Sequence, residues 1–597
     1  MRGLERLVKL LILFGAFGIS TYLALQPGSG GLWHGIEPAH AVGRTRTRDV
    51  ATPYDLTKLE AVTAAIQTIR DKYVEPQRVK PRDMLLSALD FVQRDVAQVI
   101  VLRKGDSQEV TVRVGSQEKK FHVGDVQGPW DVSSYLREIF AFLQEHLKGD
   151  PEVDLREVEY AACNGILHTL DPHSVFLSPD AYREMSISTQ GAFGGVGVAI
   201  SIRDQLLTVV SPMPGTPAGR AGLKRHDRIL AINAESTLNM PLDDAVLRLR
   251  GEPGTDVTVW VHREGVGGWA GTRPFKLRRE VINVESVESK MLEQGVGYIR
   301  IRQFQSSTAG ELDSALVTLH RAEARMKGLV LDLRSNPGGL LDQAAKVADR
   351  FLRKGIIVST VSANEPRDDK MATSPGTEPN YPLVVLVNSS SASASEIVAG
   401  ALKNQERAVI VGQRTFGKGS VQQLFPDMTR DKAALKLTIA QYLTPGEISI
   451  QSVGIAPDID LDPMTVDPND MDVMRAGKRM RERDLSKHLS NVSARTQKPL
   501  EDVRYNLPVA EREDLRERGG DAQDEFKIDF PIRFARDLVL HMPSDQPRVE
   551  SVRRAQEFID SVRTDEMVKV AADLKQLGYD WSSPPTPPPA GPAAEDY

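Results

Sequence analysis

Two side chains in the stretch 388–423, Ser393 and Lys418, are of types and in surroundings suited to covalent chemistry. A serine hydroxyl becomes a nucleophile when a base takes its proton, and a lysine amine is a base only while neutral. Free lysine titrates near 10.4, so neutrality near pH 7 requires its pKa to fall by roughly 3, about 4 kcal/mol, and burial can supply that. Gly417 and Gly419 flank the lysine and allow close backbone approach, while Phe416 and Val421 bring apolar surface that excludes water. Gln422 could orient the amine without adding a charge that would hold its proton. The same residues also suit a helix cap and a solvated turn, and spacing alone leaves both readings open.

The elements that would position them follow from the local pattern. YPLVVLVN (381–388) is a short continuous apolar run, as in a strand buried on both faces. Residues 394–404 carry Glu396 in the first turn and repeat Ile397, Val398, Ala401 and Leu402 along one face, which predicts a helix. Ser393 then stands where a strand meets a helix N-terminus, and unpaired N–H groups there would stabilise an oxyanion. AVIVG (408–412) predicts a second strand, followed by a turn-rich loop presenting Lys418 and a strand SVQQLF.

SASASEIVAGAL, VGQRTFGKGSVQQ and VLDLRSNPGGLL (330–341) together resemble the C-terminal processing peptidases, tail-specific serine proteases with a Ser/Lys dyad. The resemblance covers about 55–90 and 155–462 and implies Ser393 as nucleophile, Lys418 twenty-five positions later as base, and Gln422 as its assistant. It also implies an oxyanion hole from the amide of Ala394 and from the turn 336–339, with Gly338 and Gly339 both candidates. The implied core is a crotonase-like α/β fold, and no metal or organic cofactor is called for. Asp171-Pro172-His173-Ser174 would suit a Ser-His-Asp triad, but with the base assigned elsewhere His173 is read as a turn residue capping a helix end.

The chain has 597 residues, 41% of them hydrophobic, and a net charge of −6, room for several domains and no basic patch to suggest nucleic acid. Its one cysteine, Cys163, lies in an apolar helical run and reads as a small buried hydrophobe. Arg2, Arg6 and Lys9 precede the 16-residue apolar run 10–25, which is read as a signal segment or membrane anchor within 1–27. Either would export the remainder across the bacterial inner membrane to a periplasmic or other extracytoplasmic site. A linker (28–50) leads to a helical region (51–187), in which Leu59, Val62, Ile66 and Ile69 mark one helix face. An insertion at 99–150 predicts a hairpin about a Gly-Ser turn and a helix at 133–147.

Residues 188–265 run GGVGVAISI, a turn-rich stretch, the helix PLDDAVLRLR and the strand TDVTVWVHRE, and this order resembles a PDZ domain. Such a domain would take a chain-terminal carboxylate on the backbone of Gly194, Gly195, Val196, Gly197 and Val198, with Val198, Ala245 and Leu249 lining an apolar pocket. Arg250 would touch the core or be solvated. From 266 to 464, strands and helices alternate as in a layered α/β core. A charged helical extension follows at 465–583, read as a partly ordered module, and a proline-rich tail at 584–597.

The fold class expected is therefore multidomain α/β: a helical N-terminal region, a β-rich PDZ domain, an α/β protease core and a C-terminal helical extension. The function expected is an exported serine endopeptidase acting on proteins with accessible apolar C-termini, with a homo-oligomer or an activating partner possible. Two other readings compete with it. A phosphate loop at 412–418 fails because position 419 is glycine rather than Ser or Thr and a strand follows instead of a helix. A non-catalytic PDZ adaptor is opposed by the intact Ser393, Lys418, Gln422 and glycine turn.

Overall fold

Gly328–Asp332, Leu383–Val387 and Val409–Gly412 are buried at every position, the pattern of parallel strands covered on both faces. They form the centre of a seven-stranded sheet ordered Val287–Met291, Val296–Ile301, Gly328–Asp332, Leu383–Val387, Val409–Gly412, Ile459–Met464, Glu501–Asn506. The first pair is antiparallel and each later pair parallel. The computed structural model describes residues 54–579, apart from 104, 106, 107, 266, 364, 468–470, 472–479, 492–496 and 519–525. The apolar amino-terminal segment, the linker and the proline-rich tail lie outside the described residues.

Strand periodicity of two divides the sheet's side chains between two layers. Leu329, Leu331, Leu383, Val385 and Ile410 pack with helices Thr308–Ala322, Leu341–Asp349 and Ala394–Asn404. Val330, Val384, Leu386, Val409 and Val411 pack on the other side, chiefly against Phe534, Ala535, Leu538 and Val539 of helix Phe530–His541. The extension is therefore not an appended module. Its strand Glu501–Asn506 ends the core sheet and its helices form one of the two covering layers, so the expected boundary at 464 separates no independent unit.

A second sheet carries the strand that follows Lys418. It runs Asp368–Met371, Ile356–Val361, Ala434–Thr444, Ser420–Phe425, and Val175–Leu177 also pairs with its long member. The N-terminal helices are Glu60–Lys72, Pro81–Asp95 and Leu155–His168; Val62, Ile66 and Ile69 line one buried face as expected, whereas Leu59, also buried, takes a left-handed conformation (φ 51°) as the cap before the first helix instead of lying on its face. The inserted hairpin turns at Gly115 as predicted, and Val99–Arg103 adds a third strand to it. Val110, Val112, Phe121, Leu136 and Phe140 of the insertion join the same apolar cluster as the helices, so it thickens that region rather than projecting from it. Cys163 is buried there, and burial pushes its thiol up, which leaves it unreactive.

The PDZ sheet is ordered Arg273–Arg278, Asp256–His262, Arg228–Ile232, Leu206–Pro212, Val198–Arg203, leaving Val198–Arg203 at an edge beside helix Leu242–Leu249. Gly194 and Gly195 belong to the strand Ala192–Gly195, which pairs with Glu280–Asn283 at the junction with the core. They are thus ladder residues, and only Val196, Gly197 and Val198 form the turn into the edge strand. Arg250 is neither solvated nor bonded to the core: it pairs with Glu184 of the helix Pro179–Gln190, and its guanidinium stands 4.7 Å from the Phe193 ring centroid.

Candidate active site

The strand Leu383–Val387 ends in a polar corner whose groups are already spoken for. Asn388 Oδ1 accepts the Ser335 amide at 2.9 Å, and Ser391 Oγ donates to the Leu333 carbonyl at 2.8 Å. Ser393 follows with φ 55° and ψ −113°, outside the basins ordinarily open to a residue with a Cβ. Such strain, of the order of about 1–3 kcal/mol, is held only where surroundings over-determine it, and here it places the serine at a sharp strand-to-helix corner. Ser393 is only 8% exposed.

The glycine turn lies directly against it. Gly338 has φ 106°, and a Cβ there would stand 2.8 Å from Ser393 Cβ and 3.1 Å from the Ala394 nitrogen. The Gly338 amide donates to Asn336 Oδ1 at 2.9 Å, while Asn336 Nδ2 donates to the Ile301 carbonyl. Among the described residues the amides of Gly339 and Ala394 have no acceptor. Gly338→Ala is expected to keep a folded protein but lower kcat by about 100-fold or more, because the methyl would fill the space between the serine and the unpaired amides. Steady-state kinetics beside a melting curve separates that loss from unfolding.

Glu396 links the serine to the lysine loop. Its carboxylate is fully buried and receives four donors. Oε2 accepts the Ser393 amide at 2.8 Å and the Lys418 amide at 2.9 Å; Oε1 accepts the Gly417 amide at 2.7 Å and Thr415 Oγ1 at 2.5 Å. One carboxylate oxygen therefore fixes the backbone of both Ser393 and Lys418. Burial pushes the Glu396 carboxyl up to about 7 against this donor set.

Lys418 is partly buried, and no carboxylate among the described residues comes within ion-pairing range of its amine. Burial lowers its pKa, opposed by the charges of Glu482, Asp171 and Glu396. Gly419 shows why the loop needs a glycine: a Cβ there would meet the Gln451 nitrogen at 2.6 Å, and its amide donates to Gln451 Oε1 at 2.9 Å. Gln422 Nε2 donates to Ser420 Oγ at 2.8 Å and reaches Thr438 Oγ1 at 3.5 Å, at a bulge in its strand, rather than bonding Lys418.

His173 caps no helix. The turn is built by Asp171, which accepts the amides of His173 and Ser174, while His173 Nε2 lies 2.9 Å from both carboxylate oxygens of Glu482. Glu482 has no distinguishing mark in the sequence because it sits inside the charged run RERDLSKHLS. The only signal for its burial is the apolar pair Leu485 and Leu489, one helical turn apart.

A strained serine beside unpaired amides, clamped to a lysine loop and joined to a peptide-binding fold, defines a serine peptidase with a PDZ domain. Residues 295–461 match Peptidase family S41, and residues 184–261 match the PDZ domain family. The chain is 42% identical over 305 residues to the carboxy-terminal-processing protease of Bartonella bacilliformis, covering 50% of this chain and 68% of that protein. It is 39% identical over 310 residues to the carboxyl-terminal-processing protease of Synechocystis sp., covering 51% and 71%. A solved photosystem II D1 C-terminal processing protease is 27% identical, with 69% of this chain and 94% of that one covered and a TM-score of 0.37. The chain belongs to peptidase family S41 and is a carboxy-terminal processing serine protease.

Proposed function

We propose that the chain is an exported endopeptidase that selects substrates by their C-termini and cleaves them through an acyl-enzyme formed on Ser393. The observation that carries this reading is the shared Glu396 oxygen, which ties the Ser393 and Lys418 amides to one point. Neutral Lys418 takes the Ser393 proton as Oγ attacks the scissile carbonyl, and the amides of Gly339 and Ala394 hold the resulting oxyanion. Lys418 then gives its proton to the leaving amine, and water completes the cycle by the same route. Gln422 acts through Ser420 and Thr438, holding the bulged strand beside the base. Export is supported by the basic residues and apolar run at 2–25, which would also provide any membrane attachment.

The substrate's terminal carboxylate lies on the amides of the turn 196–198, its last residues add along the edge strand Val198–Arg203, and Val198, Ala245 and Leu249 receive an apolar side chain. The test is mass spectrometry of products from an unstructured polypeptide ending in an apolar residue, compared with its C-terminal amide. Internal cleavage that slows by about tenfold or more on amidation is expected. Equal rates would remove C-terminal selection, and no cleavage of either would remove the endopeptidase reading.

A further inference from the structure

The carboxylate nearest in influence to Lys418 comes from outside the family core. Residues 295–461 hold the serine and the lysine, whereas Glu482 belongs to a segment laid across the base loop. The Glu482 amide donates to the Phe416 carbonyl at 3.1 Å. Gln451 bridges the two sides: its Nε2 donates to Glu482 Oε1 at 3.2 Å while its Oε1 takes the Gly419 amide at 2.9 Å. Further along, Arg78 donates to the carbonyls of Lys487 at 2.7 Å and His488 at 2.8 Å, and the Ser490 amide donates to Glu75 Oε1 at 3.1 Å. The segment thus fastens the helical region to the base loop, with Leu485 and Leu489 buried beneath it.

Glu482 is fully buried and its partner His173 is 7% exposed. Among the described residues the second ring nitrogen of His173, Nδ1, is buried without a hydrogen-bond partner, and Glu482 is the one side chain that the imidazole bonds. Burying a carboxylate is expensive, and a pair placed here by several backbone clasps is not a by-product of packing. We propose that Glu482 is a positioning residue of this peptidase, which secures the Lys418 loop at a second point besides Glu396 and whose buried negative charge favours the protonated form of the base. The inference rests on Lys418 being that base.

The groups facing Lys418 are Glu482 from this segment, Asp171 and His173 from the turn after helix Leu155–His168, Glu396 from the serine helix, and Lys436 from the strand Ala434–Thr444. Negative charge at Glu482 favours the protonated amine. Glu482→Gln removes the charge with little change of shape, so Lys418 loses its proton more readily. The acid limb of kcat/KM then moves to lower pH by about 1 unit. Glu482→Asp keeps the charge and returns the limb to the parent position, even where a shorter side chain reduces kcat.

The experiment measures full-length parent, Glu482→Gln, Glu482→Asp and Lys418→Ala on a quenched fluorescent peptide with a free apolar C-terminus. A circular-dichroism melt of each variant at every pH restricts the comparison of limbs to conditions in which all of them are folded. A lower limb for the Gln variant alone supports the inference. Coincident limbs for parent and Gln variant, with Lys418→Ala inactive, overturn it. Parent-like activity of Lys418→Ala overturns the assignment of the base instead.

Discussion

Ser393→Ala reduces kcat by about 10⁴-fold or more, and Lys418→Ala by a comparable factor, with the double variant no worse than either alone. Nucleophile and base act as one unit, so losing either removes the acyl-enzyme route. Lys418→Arg is as damaging as alanine, because a guanidinium cannot be deprotonated in a protein. The base must be neutral to act, so activity rises as pH climbs through the value to which burial lowers Lys418. Glu396 adds to the same limb. Above about 7 its carboxylate accepts all four donors, while below about 7 a proton displaces one of them and loosens the Ser393–Lys418 link.

Stability runs the other way over part of that range. The folded protein holds the Glu396 proton more tightly than the unfolded chain does. The stabilising contribution is full below the ordinary value of 4.5 and is lost as pH rises through about 7. Between these two values, therefore, Glu396 makes the protein more stable and less active. Measuring kcat/KM and the melting midpoint from about pH 5 to about pH 9 checks both signs. Parent-like cleavage by Lys418→Arg would end the case for a lysine base.

Ending the chain after Met464 abolishes folding. The truncation deletes the edge strand Glu501–Asn506 and the layer over Val330, Val384, Leu386, Val409 and Val411. Exposing five such side chains at about 1.5–3 kcal/mol each costs about 7.5–15 kcal/mol, as large as a usual net stability of about 5–15 kcal/mol. Asp529 goes too, leaving Arg334, just before the glycine turn, with Asp332 but without the second carboxylate it meets at 2.8 Å. A milder member of the series, Phe534→Ala, loses about 3–5 kcal/mol and stays folded only if the parent has that margin. Circular dichroism and limited proteolysis distinguish the outcomes. A cooperatively melting truncated protein would show that the core folds without its second layer.

What the sequence made legible was chemistry carried by neighbouring residues. Ser393 at a strand-to-helix corner, Lys418 between glycines and the hairpin at Gly115 are each local patterns, and the structure reproduces their settings. What stayed hidden depended on partners distant in the chain. Glu396 reads as an ordinary acidic residue in a first turn until the loop at 415–418 folds onto it. Which glycine amide is unpaired turns on Asn336, whose own orientation is set by the Ile301 carbonyl. EDVRYN (501–506) alternates too weakly, among charged neighbours, to announce the last strand of a core sheet. His173 found a partner 309 positions away, beyond any periodicity.

The order of the core sheet also sets a clock. Ser393, Lys418 and Gln422 are all present once residue 422 has been made, yet the second covering layer is complete only when helix Gln556–Gln576 emerges. At roughly 5–20 residues per second, synthesis of that interval takes roughly 10–30 s. Throughout it the sheet's second cover is incomplete, and until residue 490 has been made the segment that clasps the base loop is missing as well. The reactive side chains are therefore made well before the layer that completes the cover of the core sheet on its second face.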